Sequence, residues 1–398
     1  MGTLASNNVL VKKASLIPPS DPTPTHILKL SSIDSQLFLR FTIEYLLIYP
    51  SIRSNNTFDQ AAFTGRVKAA LGRALIPYYP LSGRVRARPD NSCLEVICRG
   101  QGALFIEAES EFNVTDFENA PRYVTEWRKL LALELSNGCL SRKNTSDLKP
   151  KPVWQRSLLD PTSFKKHKPS LVSHPEFNQV NDYCNFMTRF NPDKLTPTSV
   201  TFHEWKLNEL KNSVTRSTRT SQLTSFEVLS AHIWRTWAKA LHFPPSQTLK
   251  LLFSINIRHR VKPSLPGGYY GNAIVLGCAQ TTVKELTENG LVYATELIKE
   301  AKNRVDDKFV KEVVNSVSLK GPSCVPDSVG VLILSQWSKL GLESVDFGIG
   351  RPVQVGPVCT DRYCILLPVH DQSRSIKVML AVPSVAVDKY VDLITAVD

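Results

Sequence analysis

The chain has 398 residues, 42% of them hydrophobic and 21% charged, the balance of a globular protein with a full-sized core rather than of a tail or a fibre. Its 18 glycines and 26 prolines follow no period, which excludes collagen-like and low-complexity readings. Lysine and arginine outnumber aspartate and glutamate by 48 to 36, and a formal charge of +12 suits a polyanion: nucleic acid, an anionic membrane surface or a phosphate-bearing co-substrate.

This length predicts two domains or three. The eight cysteines form no C-x-x-C pair and sit mostly in apolar runs, so buried thiols in a reduced compartment are expected, with no metal. The first twenty residues carry no sustained apolar run, and the longest apolar stretches, near 46–49 and 331–334, fall far short of a membrane span. A cytoplasmic protein is the expectation.

In chain order, a strand is predicted at 41–49. Thr57 with Gln60 forms a capping-box pattern, and Phe63, Val67, Ala70, Leu71 and Ala74 then recur at helical spacing until Pro77. A turn rich in proline and glycine leads into a strand near Arg84. The polar, proline-interrupted stretch 149–197 reads as a connection between halves. Thr224 with Glu227 caps a second helix, whose stripe is Phe226, Leu229, Ile233, Trp237 and Leu241, before Pro244 and Pro245 stop it. Leu291, Ala294, Ile298, Ala301 and Val305 mark a third. Strands are predicted at 251–257, 272–277, 330–335, 363–369 and 376–382. They do not alternate with helices in βαβ order, which predicts mixed sheets in two α/β halves.

Three strings stand out from this background: PYYPLSGR at 77–84, NIRHR at 256–260 followed by LPGGYYGN at 265–272, and DFGIG at 346–350. Each alone is explained by a turn. The Asp-Phe-Gly of the last lacks the Gly-rich loop, H-R-D segment and V-A-I-K lysine of a kinase. Together and in this order, with GALFIEA at 102–108 and SFEVLSAHIWR at 225–235, they resemble the landmarks of the plant BAHD acyl-CoA-dependent acyltransferases, from about residue 18 to the C-terminus.

That resemblance implies an α/β, two-domain chloramphenicol-acetyltransferase-like fold with mixed sheets and an interdomain channel. The N-terminal half would span 1–165, a crossover connection 166–196, and the C-terminal half, with the DFGIG turn, 197–398. It implies transfer of an acyl group from acyl-CoA, a co-substrate rather than a bound cofactor, to a small hydroxylated acceptor or an amine in plant specialised or lipid metabolism, by a monomer. In the family the Asp of D-F-G-W-G is structural and held by an arginine. Here that implies Asp346 with Arg258 or Arg260, in a turn of Phe347, Gly348, Ile349 and Gly350 where Ile349 replaces the family's Trp. The basic residues Lys165, Lys166, Lys168 and Lys262 suit CoA phosphates, or form a solvated basic face. No helix-turn-helix, zinc or RNP-type pattern supports nucleic acid.

One departure bears on the chemistry. The family's general base is the His of an H-x-x-x-D motif, and no histidine here has an Asp four positions later: His26, His167, His174, His203, His232, His242, His259 and His370 are followed by Leu30, Leu171, Asn178, Leu207, Thr236, Ser246, Pro263 and Arg374. Only the stretch 123–148 occupies the place of the motif, so the base-bearing segment is expected to be deleted there, by splicing, a gene-model error or pseudogenisation. His232 reads as a packed helix residue, which leaves His174 and His259 as weak candidates for a base. Whether the chain is an enzyme is therefore left open, the alternative being a non-catalytic CoA- or acceptor-binding paralogue acting as decoy or regulator.

Overall fold

The computed structural model describes residues 10–36, 45–50, 59–89, 93–110, 150–164, 174–191, 194–217, 223–320, 328–357, 363–369 and 372–396. The stretch 123–148 and Lys165, Lys166 and Lys168 lie outside them.

In the N-terminal half, β1 (Leu10–Ile17) and β2 (His26–Lys29) precede β3 (Tyr45–Ile48) and helix α1 (Gln60–Ala74). The helix is capped by Asp59, whose carboxylate accepts from the Ala62 N–H at 2.9 Å, two residues beyond Thr57, which lies outside the described residues. An aspartate directly before the first helical residue reaches that donor. Strands β4 (Arg84–Ala87), β5 (Leu94–Cys98) and β6 (Ala103–Glu109) follow. β1 pairs antiparallel with β6, and β5 lies between β2 and β4.

Beyond the short helix α2 (Phe186–Arg189), the C-terminal half is built on a six-stranded sheet in the order β7 (Leu195–Phe202), β13 (Gln372–Pro383), β12 (Tyr363–Val369), β10 (Val331–Gln336), β8 (Thr248–Asn256), β9 (Ile274–Thr282). β10 runs parallel to both β8 and β12, and the remaining pairs are antiparallel, so the sheet is mixed as expected. The helices of this half are α3 (Glu204–Ser217), α4 (Ser225–Leu241), α5 (Val283–Glu288), α6 (Gly290–Arg304), α7 (Asp307–Lys320) and α8 (Val387–Thr395). Helix α4 opens on a complete capping box: Thr224 N–H donates to Glu227 at 2.8 Å and Glu227 N–H to the Thr224 hydroxyl at 3.3 Å. Its Leu229, Ile233, Trp234 and Trp237 are fully buried, and each such side chain contributes about 1.5–3 kcal/mol of transfer free energy. His232 is buried beside them and donates to the Ile394 carbonyl at 3.0 Å, a core histidine.

Because strand side chains alternate, Leu249, Leu251 and Phe253 of β8 join that main core while Leu252 points to the other face. On this second face lie two small clusters. One is Leu252, Leu276, Cys278 and Val331; the other is Trp337, Ile365 and Leu367. β11 (Gln354–Pro357) leaves the C-terminal half, pairs with β3, and forms a ribbon over the second cluster, where Tyr45 stacks on Trp337 at 4.8 Å. Residues 174–191 pack against the C-terminal half: Phe186 and Phe190 stack near Trp237 and Phe243, and the buried Lys250 donates to the Asn178 carbonyl.

Candidate functional site

Three of the landmark strings, 77–84, 256–260 and 265–272, far apart in sequence, meet Val153 and Trp154 where the halves join. Val153 and the 265–272 loop bind each other through Val153 N–H to Gly268 O at 2.9 Å and Tyr270 N–H to Val153 O at 3.3 Å. Tyr78, from the 77–84 string, meets the Tyr270 ring edge-on at 4.9 Å, and Trp154 lies 5.6 Å from the same ring. The 256–260 string closes the group, since Arg258 donates to the Gly271 carbonyl at 3.0 Å and Leu265 N–H to the Arg258 carbonyl at 3.0 Å.

At the centre is an ion pair that the sequence reading did not single out. Arg156 Nε lies 2.9 Å from Asp34 Oδ2, with side chains 7% and 5% exposed. The guanidinium stands 4.0 Å from the Trp154 ring centroid, 5.0 Å from Tyr269 and 5.6 Å from Tyr270. Asp34 also accepts from the Ser31 N–H at 3.1 Å, the Ser31 hydroxyl at 2.7 Å and the Asn272 N–H at 3.1 Å. Such a carboxylate, taken out of water, needs this set of donors. Gly271 completes the fit: at φ 124° it favours glycine, and a Cβ there would overlap the guanidinium. Burial pushes the Tyr269 phenol up to about 12 against the pull of Arg156. Ser31-x-x-Asp34, a local Asx-type pattern, was the available sequence signal.

Arg258 and Arg260 do not serve Asp346 as the resemblance implied. Arg258 is spent on Gly271 and on Asn256 Oδ1 at 3.4 Å, and burial lowers its pKa. Arg260 caps the end of α6 through the carbonyls of Lys302 at 3.0 Å and Val305 at 2.6 Å. Asp346 is exposed, and its Oδ1 accepts from the N–H groups of Gly348, Ile349 and Gly350 at 2.6, 3.1 and 3.0 Å. The physical reason is local: Gly348 and Gly350 at φ 86° and 95° fold the backbone amides around the carboxylate. The N-terminal half holds this turn through Tyr49, whose hydroxyl donates to Val345 O at 2.9 Å and whose ring meets Phe347 at 5.5 Å. Burial, then the Asp346 charge, raises the Tyr49 pKa.

His174 lies between two carboxylates, with Nδ1 3.0 Å from Glu176 and Nε2 3.5 Å from Glu312, and its ring 4.7 Å from Phe309. Burial alone would lower its pKa, but the hydrogen bond and charge of Glu176, with those of Glu312, raise it. Both ring nitrogens face acceptors, an arrangement that favours the imidazolium and opposes a role as proton acceptor. His259 is exposed on the loop after β8, and the Lys262 side chain is exposed nearby while its N–H donates to Asp307 at 2.8 Å.

Under the β3–β11 ribbon is a cavity of about 180 Å³ lined by Glu343, Val353, Gln354, Val355, Val369 and Lys377, with Pro352 and Pro368. No helix among the described residues is long and apolar enough to cross a membrane.

A family model described as Transferase family matches residues 7–137 and 124–394. The chain is similar to omega-hydroxypalmitate O-feruloyl transferase of Arabidopsis thaliana, 27% identical over 438 residues, covering 98% of this chain and 93% of that one. It is similar to piperine synthase of Piper nigrum, 29% identical over 399 residues, covering 88% and 84%. Among solved structures, vinorine synthase superposes with a TM-score of 0.71 at 16% identity over 98% of this chain and 99% of that one. TRI101 of F. sporotrichioides, in complex with coenzyme A and T-2, superposes with a TM-score of 0.68 at 13% identity over 94% and 98%. The fold expected from the sequence is the fold observed.

Proposed function

The chain belongs to the Transferase family, and from that premise we propose that it takes acyl-CoA as donor and an alcohol or amine as acceptor, with the acyl-transfer step slowed in the sequence as it stands. The observation that carries the reading is the convergence of three landmark strings, 77–84, 256–260 and 265–272, on one node in a chain matched by the family almost end to end. Acyl transfer needs a base for the acceptor proton and donors for the oxyanion, and the absence of an H-x-x-x-D string removes the family's base. Two further observations support an internal deletion. The alignment to the feruloyl transferase runs over 438 positions, 40 more than the 398 residues of this chain (438 − 398), so at least that many positions of the relative face a gap. Residues 124–137 are also matched twice, at the end of one stretch and the start of the other. They fall within 123–148.

The same absence favours a second reading, a paralogue that binds acyl-CoA or acceptor without turnover. Donor recognition is common to the first reading and to the CoA-binding form of the second. Lys262 is the basic group of the 256–262 segment that stays exposed for a CoA phosphate, since Arg258 and Arg260 are occupied by carbonyls. Calorimetric titration with coenzyme A and benzoyl-CoA should give saturable binding weakened by Lys262→Ala, and no heat at millimolar donor would overturn the first reading and the CoA-binding form of the second. Turnover then separates them.

A further inference from the structure

Lys377 is on the second face of the C-terminal sheet, opposite Leu367 of β12 and Thr201 of β7, and its side chain lines the cavity under the β3–β11 ribbon. Among the described residues no hydrogen bond or ion pair reaches its amine. The other lysines of this half whose contacts are described are held: Lys250 by the Asn178 carbonyl, Lys302 by Glu227 at 2.6 Å, Lys311 by Asp307 at 2.7 Å. Across the same cavity Glu343 lines the wall, and its Oε2 is buried without a hydrogen-bond partner. The two groups do not come within ion-pair distance, so the cavity holds an amine and a carboxylate oxygen that each lack a protein partner.

We propose that Lys377 is an acyl-accepting lysine, whose amine takes a short acyl group from an acyl-CoA thioester presented at this cavity. The proposal rests on the acyl-CoA reading above. Its chemistry follows from the surroundings. Burial without a compensating carboxylate lowers the Lys377 pKa and favours the neutral amine, the nucleophilic form. Its nitrogen lone pair attacks the thioester carbonyl carbon, the C–N bond forms and the C–S bond breaks. Coenzyme A departs as the thiolate, which takes the proton lost from nitrogen and leaves as the thiol. The products are an Nε-acyl-lysine and free coenzyme A, with no oxidant or reductant required. About 180 Å³ admits an acetyl or similarly short acyl end. Because the amide is stable, this is a single acylation per chain and not a turnover.

The test incubates the full chain with acetyl-CoA and follows each lysine by peptide mass spectrometry, natively and in urea, while equilibrium dialysis measures donor retained by the same samples. The native protein should gain one acetyl at Lys377 at least about tenfold faster than at the exposed Lys339, since an amine oriented beside a held thioester gains effective concentration, and urea should abolish the difference. Lys377→Arg should remove the fast acetylation. Retained donor with Lys377 no faster than Lys339 would overturn the acyl-lysine site while leaving the donor reading intact. No retained donor would overturn that reading, and the site with it. The native-to-urea comparison uses the unaltered chain, so the result does not depend on a variant that folds.

Discussion

Truncating Arg156 to alanine removes the cation from a pair whose side chains are 7% and 5% exposed. The cost therefore belongs with buried pairs, about 3–5 kcal/mol, and not with surface pairs, about 0–1 kcal/mol. Two features of the node set where in that range it falls. Asp34 keeps its three other donors, from Ser31 twice and from Asn272, so the orphaned carboxylate is partly compensated and the ionic loss sits near about 3 kcal/mol. The guanidinium also leaves the Trp154 face at 4.0 Å, which adds about 1 kcal/mol. The sum is about 4 kcal/mol, a large share of the roughly 5–15 kcal/mol that stabilises a folded domain. Urea unfolding followed by tryptophan fluorescence reads it as a fall in midpoint at unchanged slope. Arg156→Lys should recover part of the charge term and little of the stacking. A loss below about 1 kcal/mol for Arg156→Ala would put the pair in the surface class and refute the claim that this node joins the halves.

Gly271→Ala should destabilise the same node without touching either charge, because the added Cβ meets the Arg156 guanidinium at a φ of 124°; a midpoint in urea equal to the parent's would contradict the close approach. His174 should make stability depend on pH. Its folded-state pKa is raised, so its contribution is fully present below the unfolded histidine value of about 6.5 and is lost as pH rises through the folded value. The difference in melting temperature between the parent and His174→Gln should therefore shrink as pH rises from that point, and a difference independent of pH would remove the Glu176–His174–Glu312 arrangement from the account.

The strand at 363–369 and the Thr224 helix can be read from the chain because their signals are local: a continuous branched and aromatic run, and a capping box four residues long. Helix α3 was not found, because its buried positions Leu207, Leu210 and Val214 are diluted by charged and polar neighbours. The landmark strings could be ordered along the chain, but their contact could not be inferred, since Asp34 and Arg156 find each other only through the fold. Asp346 shows the opposite failure. The resemblance implies a buried ion pair with Arg258 or Arg260, yet its own glycine turn supplies three donors within four residues. In the sequence His174 is a loop residue and a weak candidate for a base, because nothing there brings Glu312 to it.

The most direct test of the central claim, a family acyltransferase without its base, compares turnover of the chain as written with a version carrying an H-x-x-x-D segment inserted between residues 133 and 134. Both would be assayed with acetyl-, benzoyl- and hydroxycinnamoyl-CoA against a panel of alcohols and amines. The account predicts that the chain as written is slower by about 10²–10⁴-fold, the contribution of a positioned general base, or more where the missing segment also misaligns acceptor and thioester. Comparable turnover by the two would contradict it and show that a residue already present accepts the proton.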